Sequence, residues 1–237
     1  SRVVDPAPAQ LVVLDLTDPA APREALVRPM GNPFVHDVFV RDGILITCLW
    51  HDGIAIWDIG GAGRGGSPEA PVLLGSVRTA GGSAHNVWWF HDPTTGARRY
   101  AFVGEEGPGV IGNRASGDIH VVDLSDPTAP REVAFFHVEG AGPHNFTMDE
   151  RRGILYAAYY NGGVRALDVR GDLAACRPAA RAPDGRCDLG RMGREIGIAL
   201  QSGPPVYVWG VALEPPFLYA SDMLGGLAKL DTAPLAR

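Results

Sequence analysis

Three histidines and a tryptophan recur at one position of a repeated sequence pattern. Each opens an apolar, strand-like segment, and the four residues are His36, His85, His144 and Trp209. Neutral imidazole nitrogen suits copper, zinc, iron or nickel, and three protein ligands with an open position are typical of a catalytic metal site. The pattern therefore indicates a transition-metal site held by His36, His85 and His144, on the condition that the fold brings the three rings together.

The repeat around these residues predicts the fold. Each opening segment is followed by a second apolar segment, a Gly-containing connection and a third segment that ends in an aspartate. The closing aspartates are Asp58, Asp123, Asp168 and Asp231, with Asp15 as a further copy. Aspartates that recur in this way are expected to cap turns between blades. Periodic four-stranded units without a convincing helix are typical of β-propeller blades.

We accordingly predict an all-β single domain over residues 1–237, a β-propeller with four recognisable blades and a partial one. The repeats cover approximately 10–28 (partial), 35–77, 85–136, 144–200 and 207–237. The first unit supplies a third and a fourth strand, whereas the last supplies a first, second and third, so the two do not complete one blade. We interpret the chain as a portion of a six- or seven-bladed propeller, the alternative being unconventional pairing of residues 11–16. A protein partner or other subunits would then cover the open blade edge.

Propeller geometry also predicts the surroundings of the histidines. The first strand of a blade lies nearest the axis, and the loop between its second and third strands returns to the mouth where that first strand begins. The side chains expected around the three histidines are Trp50, His51, Glu105, Glu106, Tyr159, Tyr160, Asn161, Trp209 and Asp222. Among them His51, Glu105 and Asp222 are candidates for a fourth ligand or an acceptor for an imidazole N–H.

Two alternatives for the histidines stay open at this point. Their rings fit a structural role, in which they bond the backbone of a neighbouring blade, and they also fit a polar ligand pocket without a metal. The other histidines, His91, His120 and His137, do not recur, so we predict surface or edge positions for them.

The amino-acid composition limits the classes of binding partner and the cellular compartment that we expect for this chain. The net charge of −6, with Lys229 as the lone lysine and no basic cluster, argues against nucleic-acid binding. No run of about 18 apolar residues is present to cross a membrane. Cys176 and Cys187 flank a Pro/Arg/Gly-rich loop, and a disulfide between them would imply an oxidising compartment, two free thiols being the alternative. Because Ser1 is not a natural start, we expect a removed signal peptide and an extracellular or periplasmic location.

Two motifs give the chain a family resemblance. Leu11–Asp15 with the turn at 17–22, and Ile119–Asp123 with the turn at 125–130, resemble the strand-plus-turn pattern of the LVIVD-repeat β-propeller proteins. The resemblance covers essentially the whole chain and implies a propeller, in a family of mostly uncharacterised secreted or surface proteins. The segments at His36, 48–58 and His85 are more faintly similar to the selenium-binding protein and methanethiol oxidase propellers, whose histidines are thought to hold copper.

These observations support two functional classes. The first is a secreted or periplasmic binding or interaction protein that uses the axial face of the propeller. The second is an oxidase-like metalloenzyme with copper, zinc or iron held at the axis by the three histidines. A propeller hosts either function, so the fold does not choose between them and no catalytic residue is assigned.

Overall fold

The computed structural model describes residues 9–30 and 34–235, and its regular structure is almost entirely β. Residues 1–8, 31–33 and 236–237 of the predicted domain lie outside the described residues. The first ten strands are β1 (Gln10–Asp15), β2 (Arg23–Pro29), β3 (Asp37–Arg41), β4 (Ile44–Cys48), β5 (Ile54–Asp58), β6 (Val72–Val77), β7 (Ala84–Trp89), β8 (Tyr100–Glu105), β9 (Gly107–Val110) and β10 (Arg114–Ser116). The next ten are β11 (Ile119–Asp123), β12 (Arg131–Phe136), β13 (Phe146–Asp149), β14 (Ile154–Ala158), β15 (Val164–Asp168), β16 (Cys187–Asp188), β17 (Glu195–Ala199), β18 (Val208–Glu214), β19 (Phe217–Asp222) and β20 (Gly226–Asp231). Short 3₁₀ helices lie at Pro178–Ala180 and Ala233–Leu235.

Four sheets form the blades. Blade I has the order β3-β4-β5-β6, blade II β7-β8-β11-β12, blade III β13-β14-β15-β17 and blade IV β18-β19-β20, with antiparallel neighbours throughout. The first strands lie side by side, since β7 contacts both β3 and β13, and β13 contacts β18. This arrangement confirms the predicted all-β class and the order of strands within each repeat.

The apolar cores lie between successive blades. The strands β4, β5, β11 and β14 are buried along their whole length, and β8 is buried in all but its last residue, because a sheet covers each of their faces. That position explains their continuous apolar runs, which differ from the alternating pattern of a strand with one wet face. Ile56 and Val103 belong to the core that blades I and II share, and Phe102 and Leu155 to the next one along.

The strands β1 and β2 form a separate two-stranded sheet at the start of the chain. Leu11 of β1 packs with Leu45 and Trp57 of blade I, so this sheet covers a face of that blade. It corresponds to the partial unit that the sequence predicted.

The closing aspartates cap turns, as predicted. In each case the carboxylate accepts a hydrogen bond from the backbone N–H two residues further on, and the residues are Asp15, Asp58, Asp123, Asp168 and Asp231. Asp58 goes further, because it also accepts from the N–H groups of Ala62, Arg64 and Gly66. The glycine-rich segment after β5 therefore wraps around a buried carboxylate.

The predicted disulfide is confirmed. Cys176 and Cys187 are bonded, with their Cα atoms 5.9 Å apart. The bond joins the start of the Pro/Arg/Gly-rich loop to β16, which pairs in parallel with β12, the outer strand of blade II. Cys48 is a buried free thiol inside β4. Within the described residues, no helix is both long and apolar enough to cross a membrane.

Candidate functional site

The three repeat histidines meet at one mouth of the propeller. The ring centroids of His36 and His85 are 4.2 Å apart, and those of His85 and His144 are also 4.2 Å apart. Trp209 continues the row, with its ring 4.7 Å from that of His144. Each of these residues lies at or just before the start of a first strand, which is how four distant segments of sequence converge.

A carboxylate faces all three imidazoles. Oε2 of Glu106 lies 3.8 Å from Nε2 of His36 and 3.6 Å from Nε2 of His85, while Oε1 lies 3.9 Å from Nε2 of His144. These separations are longer than hydrogen bonds. One ligand atom from each of His36, His85 and Glu106 lies within 4.8 Å of the other two.

Glu106 occupies the same repeat position as two aromatic residues. In blades I to III the residue at or just after the end of the second strand donates its N–H to the carbonyl of the residue before the third strand, and the pairs are Leu49–Gly53, Glu105–Asp118 and Tyr159–Gly163. The next residue in each blade is therefore equivalent, and we call Trp50, Glu106 and Tyr160 the mouth positions. This register identifies Glu106, and not Glu105, as the acidic residue that faces the histidines.

The two aromatic mouth positions contact the outer histidines. The ring of Trp50 stacks on His36 at 5.0 Å, and that of Tyr160 meets His144 edge-on at 5.3 Å. The Tyr160 hydroxyl also donates a hydrogen bond of 2.5 Å to Oε1 of Glu106. Both residues have positive φ angles, 57° for Trp50 and 42° for Tyr160. Bulky residues adopt this backbone conformation only where the surrounding structure enforces it.

Hydrogen bonds to the next blade hold these two residues in place. Trp50 exchanges two backbone hydrogen bonds with Ala84, of 3.3 and 3.0 Å, and Tyr160 exchanges two with Val208, of 3.1 and 2.9 Å. The side chains of Trp50 and Tyr160 are thus positioned by backbone contacts between blades, whereas the backbone N–H of Glu106 donates to the Ser83 carbonyl, just before β7 of its own blade.

Burial keeps the inner imidazoles neutral. It lowers the pKa of His85 to about 3, and the neighbouring rings of His144 and His36 act in the same direction. The pKa of His144 is lowered by burial, against the opposing effects of Glu106 and of a hydrogen bond to Trp209. Nδ1 of His144 lies 2.7 Å from the Trp209 carbonyl oxygen, which only accepts, so Nδ1 carries the proton and Nε2 presents its lone pair to the mouth.

Five of the predicted surrounding residues do not face the histidines. Tyr159 lies in the core that blades II and III share, with its ring against Phe136 and its hydroxyl bonded to the Gly117 carbonyl. His51 is exposed, with its ring 6.1 Å from that of Trp50. Asp222 accepts hydrogen bonds from the backbone of Tyr207 and of its own turn. Asn161 donates to the carbonyls of Asn113 and Gly140. Glu105 points away from the mouth and bonds His120.

The prediction that His120 lies at the surface is wrong. Its side chain is fully buried, with Nδ1 2.8 Å from Glu132 and Nε2 3.2 Å from Glu105. Burial alone would lower the pKa of His120, but its hydrogen bonds to the two carboxylates and their charges raise the pKa to about 9. Arg186, next to the disulfide, also bonds Glu132. His91 is buried as well, whereas His137 is about half exposed, as predicted.

The hairpin of β9 and β10 follows Glu106 directly and lies against the loops of blades III and IV. The backbone N–H of Gly109 donates to the Tyr207 hydroxyl, and the Asn113 carbonyl accepts from Asn161. These two hydrogen bonds therefore fix the position of the chain that follows Glu106.

Comparison with known proteins confirms the propeller fold and nothing finer. No family model and no curated protein sequence matches the chain. Sqt1 from Chaetomium thermophilum is 14% identical with a TM-score of 0.61, covering 96% of this chain and 52% of that one. The C-terminal WD40 domain of Sif2 is 11% identical with a TM-score of 0.55, covering 82% of this chain and 45% of that one. The computationally designed Ika8 protein is 12% identical with a TM-score of 0.51, covering 82% of this chain and 45% of that one.

The chain thus spans about half the length of these three structures. At such identities the likeness concerns the fold alone, and the resemblances to the LVIVD-repeat and selenium-binding propellers stay predictions.

Proposed function

We propose that this propeller binds a transition-metal ion at its axial mouth, with His36, His85 and Glu106 as ligands. The observation that carries the proposal is the approach of two imidazole Nε2 atoms to one carboxylate oxygen, at 3.8 and 3.6 Å. Two ligand atoms bound to one zinc ion at about 2.1 Å lie roughly 3.4 Å apart in tetrahedral geometry. A contraction of a few tenths of an ångström would bring each imidazole nitrogen to that separation from the carboxylate oxygen, and all three ligand atoms already lie within 4.8 Å of one another.

His144 fits the role of a further ligand. Its Nε2 carries a lone pair because the Trp209 carbonyl fixes the proton on Nδ1, an arrangement that commonly orients metal-binding histidines. The low pKa values of His85 and His144 favour the same form, since only a neutral imidazole binds a metal.

The structural alternative for the histidines accounts for only one of them. If the rings linked neighbouring blades, their nitrogens would bond backbone groups. Nδ1 of His144 does so, whereas Nδ1 of His85 is buried and bonds no backbone group among the described residues. A buried imidazole at the centre of the cluster without such a bond supports a ligand-binding role.

Metal loading of the purified protein tests the proposal. After separate incubation with Zn²⁺, Cu²⁺ and Fe²⁺ and removal of excess ion, we expect about one ion of at least one metal per chain. His85→Ala and Glu106→Gln should lose it, while His51→Ala, which removes an exposed histidine close to the same mouth, should keep it. Fewer than about 0.1 ion per chain for every metal would rule out the site and with it the oxidase-like alternative.

A role as an interaction protein is the second candidate, and apolar residues at the two ends of the blade series favour it. Val12, Leu14 and Val27 are 43–50% exposed on β1 and β2, and Leu227 on β20 is 73% exposed. Exposed apolar residues on strands at the end of a sheet series suit contact with a protein partner or another subunit. Leu14→Lys and Leu227→Lys should then reduce the self-association of the protein in sedimentation experiments. A wild-type protein that sediments as a monomer at every concentration would contradict self-association.

An oxidising location fits both candidates. The disulfide between Cys176 and Cys187 favours the extracellular space or the periplasm, where such bonds persist.

A further inference from the structure

One buried side chain at the mouth touches a proposed ligand without being a ligand itself. We propose that Tyr160 is the positioning residue of the axial metal site, because its hydroxyl holds Glu106 in the orientation that presents Oε2 to His36 and His85. This inference rests on the metal site proposed above. The Tyr160 hydroxyl lies 2.5 Å from Oε1, whereas the two histidines face Oε2.

The hydrogen bond divides the work of the two carboxylate oxygens. Oε1 accepts the hydrogen bond from the Tyr160 hydroxyl, so Oε2 is the oxygen left for an ion between His36 and His85. A carboxylate that binds through one oxygen, together with imidazoles, suits transition metals, whereas Ca²⁺ prefers six to eight oxygen ligands. Tyr160 thereby favours the ion class that the histidines already select.

Packing holds Tyr160 independently of its hydroxyl. The residue is 1% exposed, and its ring lies 4.3 Å from that of Tyr207 and 5.3 Å from that of His144. Its backbone is tied to Val208 by two hydrogen bonds. Removal of the hydroxyl alone should therefore leave the ring and the fold unchanged.

The equivalent position in blade I shows that the hydroxyl is not a requirement of the fold. Trp50 has the same positive φ and the same pair of backbone hydrogen bonds to the next blade, but its side chain offers no hydroxyl. The donor at Tyr160 is specific to the residue that lies beside Glu106.

The test compares the Zn²⁺ affinities of Tyr160→Phe and Tyr159→Phe by competition with a chelator. Tyr159 is the matched control because it is also buried and its hydroxyl bonds the Gly117 carbonyl, away from Glu106. We expect Tyr160→Phe to bind Zn²⁺ about 10- to 100-fold more weakly than the wild-type protein, and Tyr159→Phe to bind within about threefold of it. Tyr160→Trp, the residue of the blade I position, should weaken binding in the same way.

A second readout separates positioning from stability. In Co²⁺-loaded protein the visible absorption bands report the ligands of the ion, and they should change in Tyr160→Phe and not in Tyr159→Phe. If wild-type protein binds no metal, the proposed function fails. If wild-type protein binds Zn²⁺ and both Tyr160 variants match Tyr159→Phe in affinity and spectrum, the metal site stands and the role of Tyr160 is refuted.

Discussion

The buried charge network around His120 makes the stability of the protein depend on pH in a way that can be calculated. His120 on β11 lies between Glu105 on β8 and Glu132 on β12, and the fully buried imidazolium neutralises charge inside blade II. Replacing it by glutamine keeps a hydrogen-bonding side chain and removes the positive charge. The perturbation therefore isolates the charge of one residue.

The expected effect follows from the pKa of His120, which rises from an ordinary 6.5 to about 9 on folding. Each pKa unit corresponds to about 1.36 kcal/mol, so the charged ring stabilises the folded protein by about 3 kcal/mol. Because the pKa is raised in the folded state, this stabilisation is fully present below about pH 6.5 and is lost as the pH rises through about 9. The free-energy difference between wild type and His120→Gln should shrink by about 3 kcal/mol from pH 6 to pH 9.5.

Urea denaturation followed by tryptophan fluorescence measures this difference at each pH. Other groups titrate in both proteins and cancel from the comparison. His137→Gln is the control, since His137 also pairs with two acids but is about half exposed, and solvent screening should limit its effect to less than about 1 kcal/mol. A wild-type-minus-His120→Gln difference that varies by less than about 1 kcal/mol between pH 6 and pH 9.5 would show that the ring is not charged in the folded protein.

Two further predictions concern the loops that decorate the blades. Asp58→Asn leaves a single acceptor oxygen for the four backbone N–H groups that the carboxylate now bonds. The segment should loosen, and trypsin should cleave after Arg64 about tenfold faster than in the wild-type protein. An unchanged cleavage rate would contradict the wrapping of this segment around the carboxylate. Replacing both Cys176 and Cys187 by serine opens a loop whose ends are 11 residues apart in sequence. In urea titrations the free energy of unfolding should fall by about 2–4 kcal/mol. A reducing agent should cause the same fall in the wild-type protein and no further fall in the double serine variant.

The blades could be predicted from sequence because their signals are local and repeated. Apolar runs such as Ile54–Asp58 and Ile119–Asp123 mark the buried third strands, and each ends in an aspartate that caps the following turn. Equivalent positions in a repeat lie at equivalent radii, so the meeting of His36, His85 and His144 required no knowledge of side-chain contacts.

The acidic residue of the site was harder to identify because an insertion hides its register. The β9–β10 hairpin separates the second and third strands of blade II, so the sequence alone does not say whether Glu105 or Glu106 matches Trp50. Hydrogen bonds decide it, and the two neighbouring glutamates point to different partners.

The environment of His120 depends on pairings that its own segment does not encode. Its position inside the continuous apolar run at 119–123 signals burial, and this signal argued against a surface histidine. The carboxylates that compensate its charge come from Glu105 and Glu132, which strand pairing brings to either side of the ring, and Arg186 of the disulfide-closed loop pairs with Glu132.

The mouth positions have a consequence for how such a protein can change its chemistry. Trp50, Glu106 and Tyr160 share one place in the repeat, and in blade IV Met223 follows the equivalent pairing of Asp222 with Gly226. An indole, a carboxylate and a phenol are thus presented to one opening from a single position of the repeat. A substitution at one of these positions changes a ligand, a hydrogen-bond donor or an apolar side chain at the opening and leaves the strands of the blade as they are. The residues that set specificity are therefore separate from the core residues that set stability.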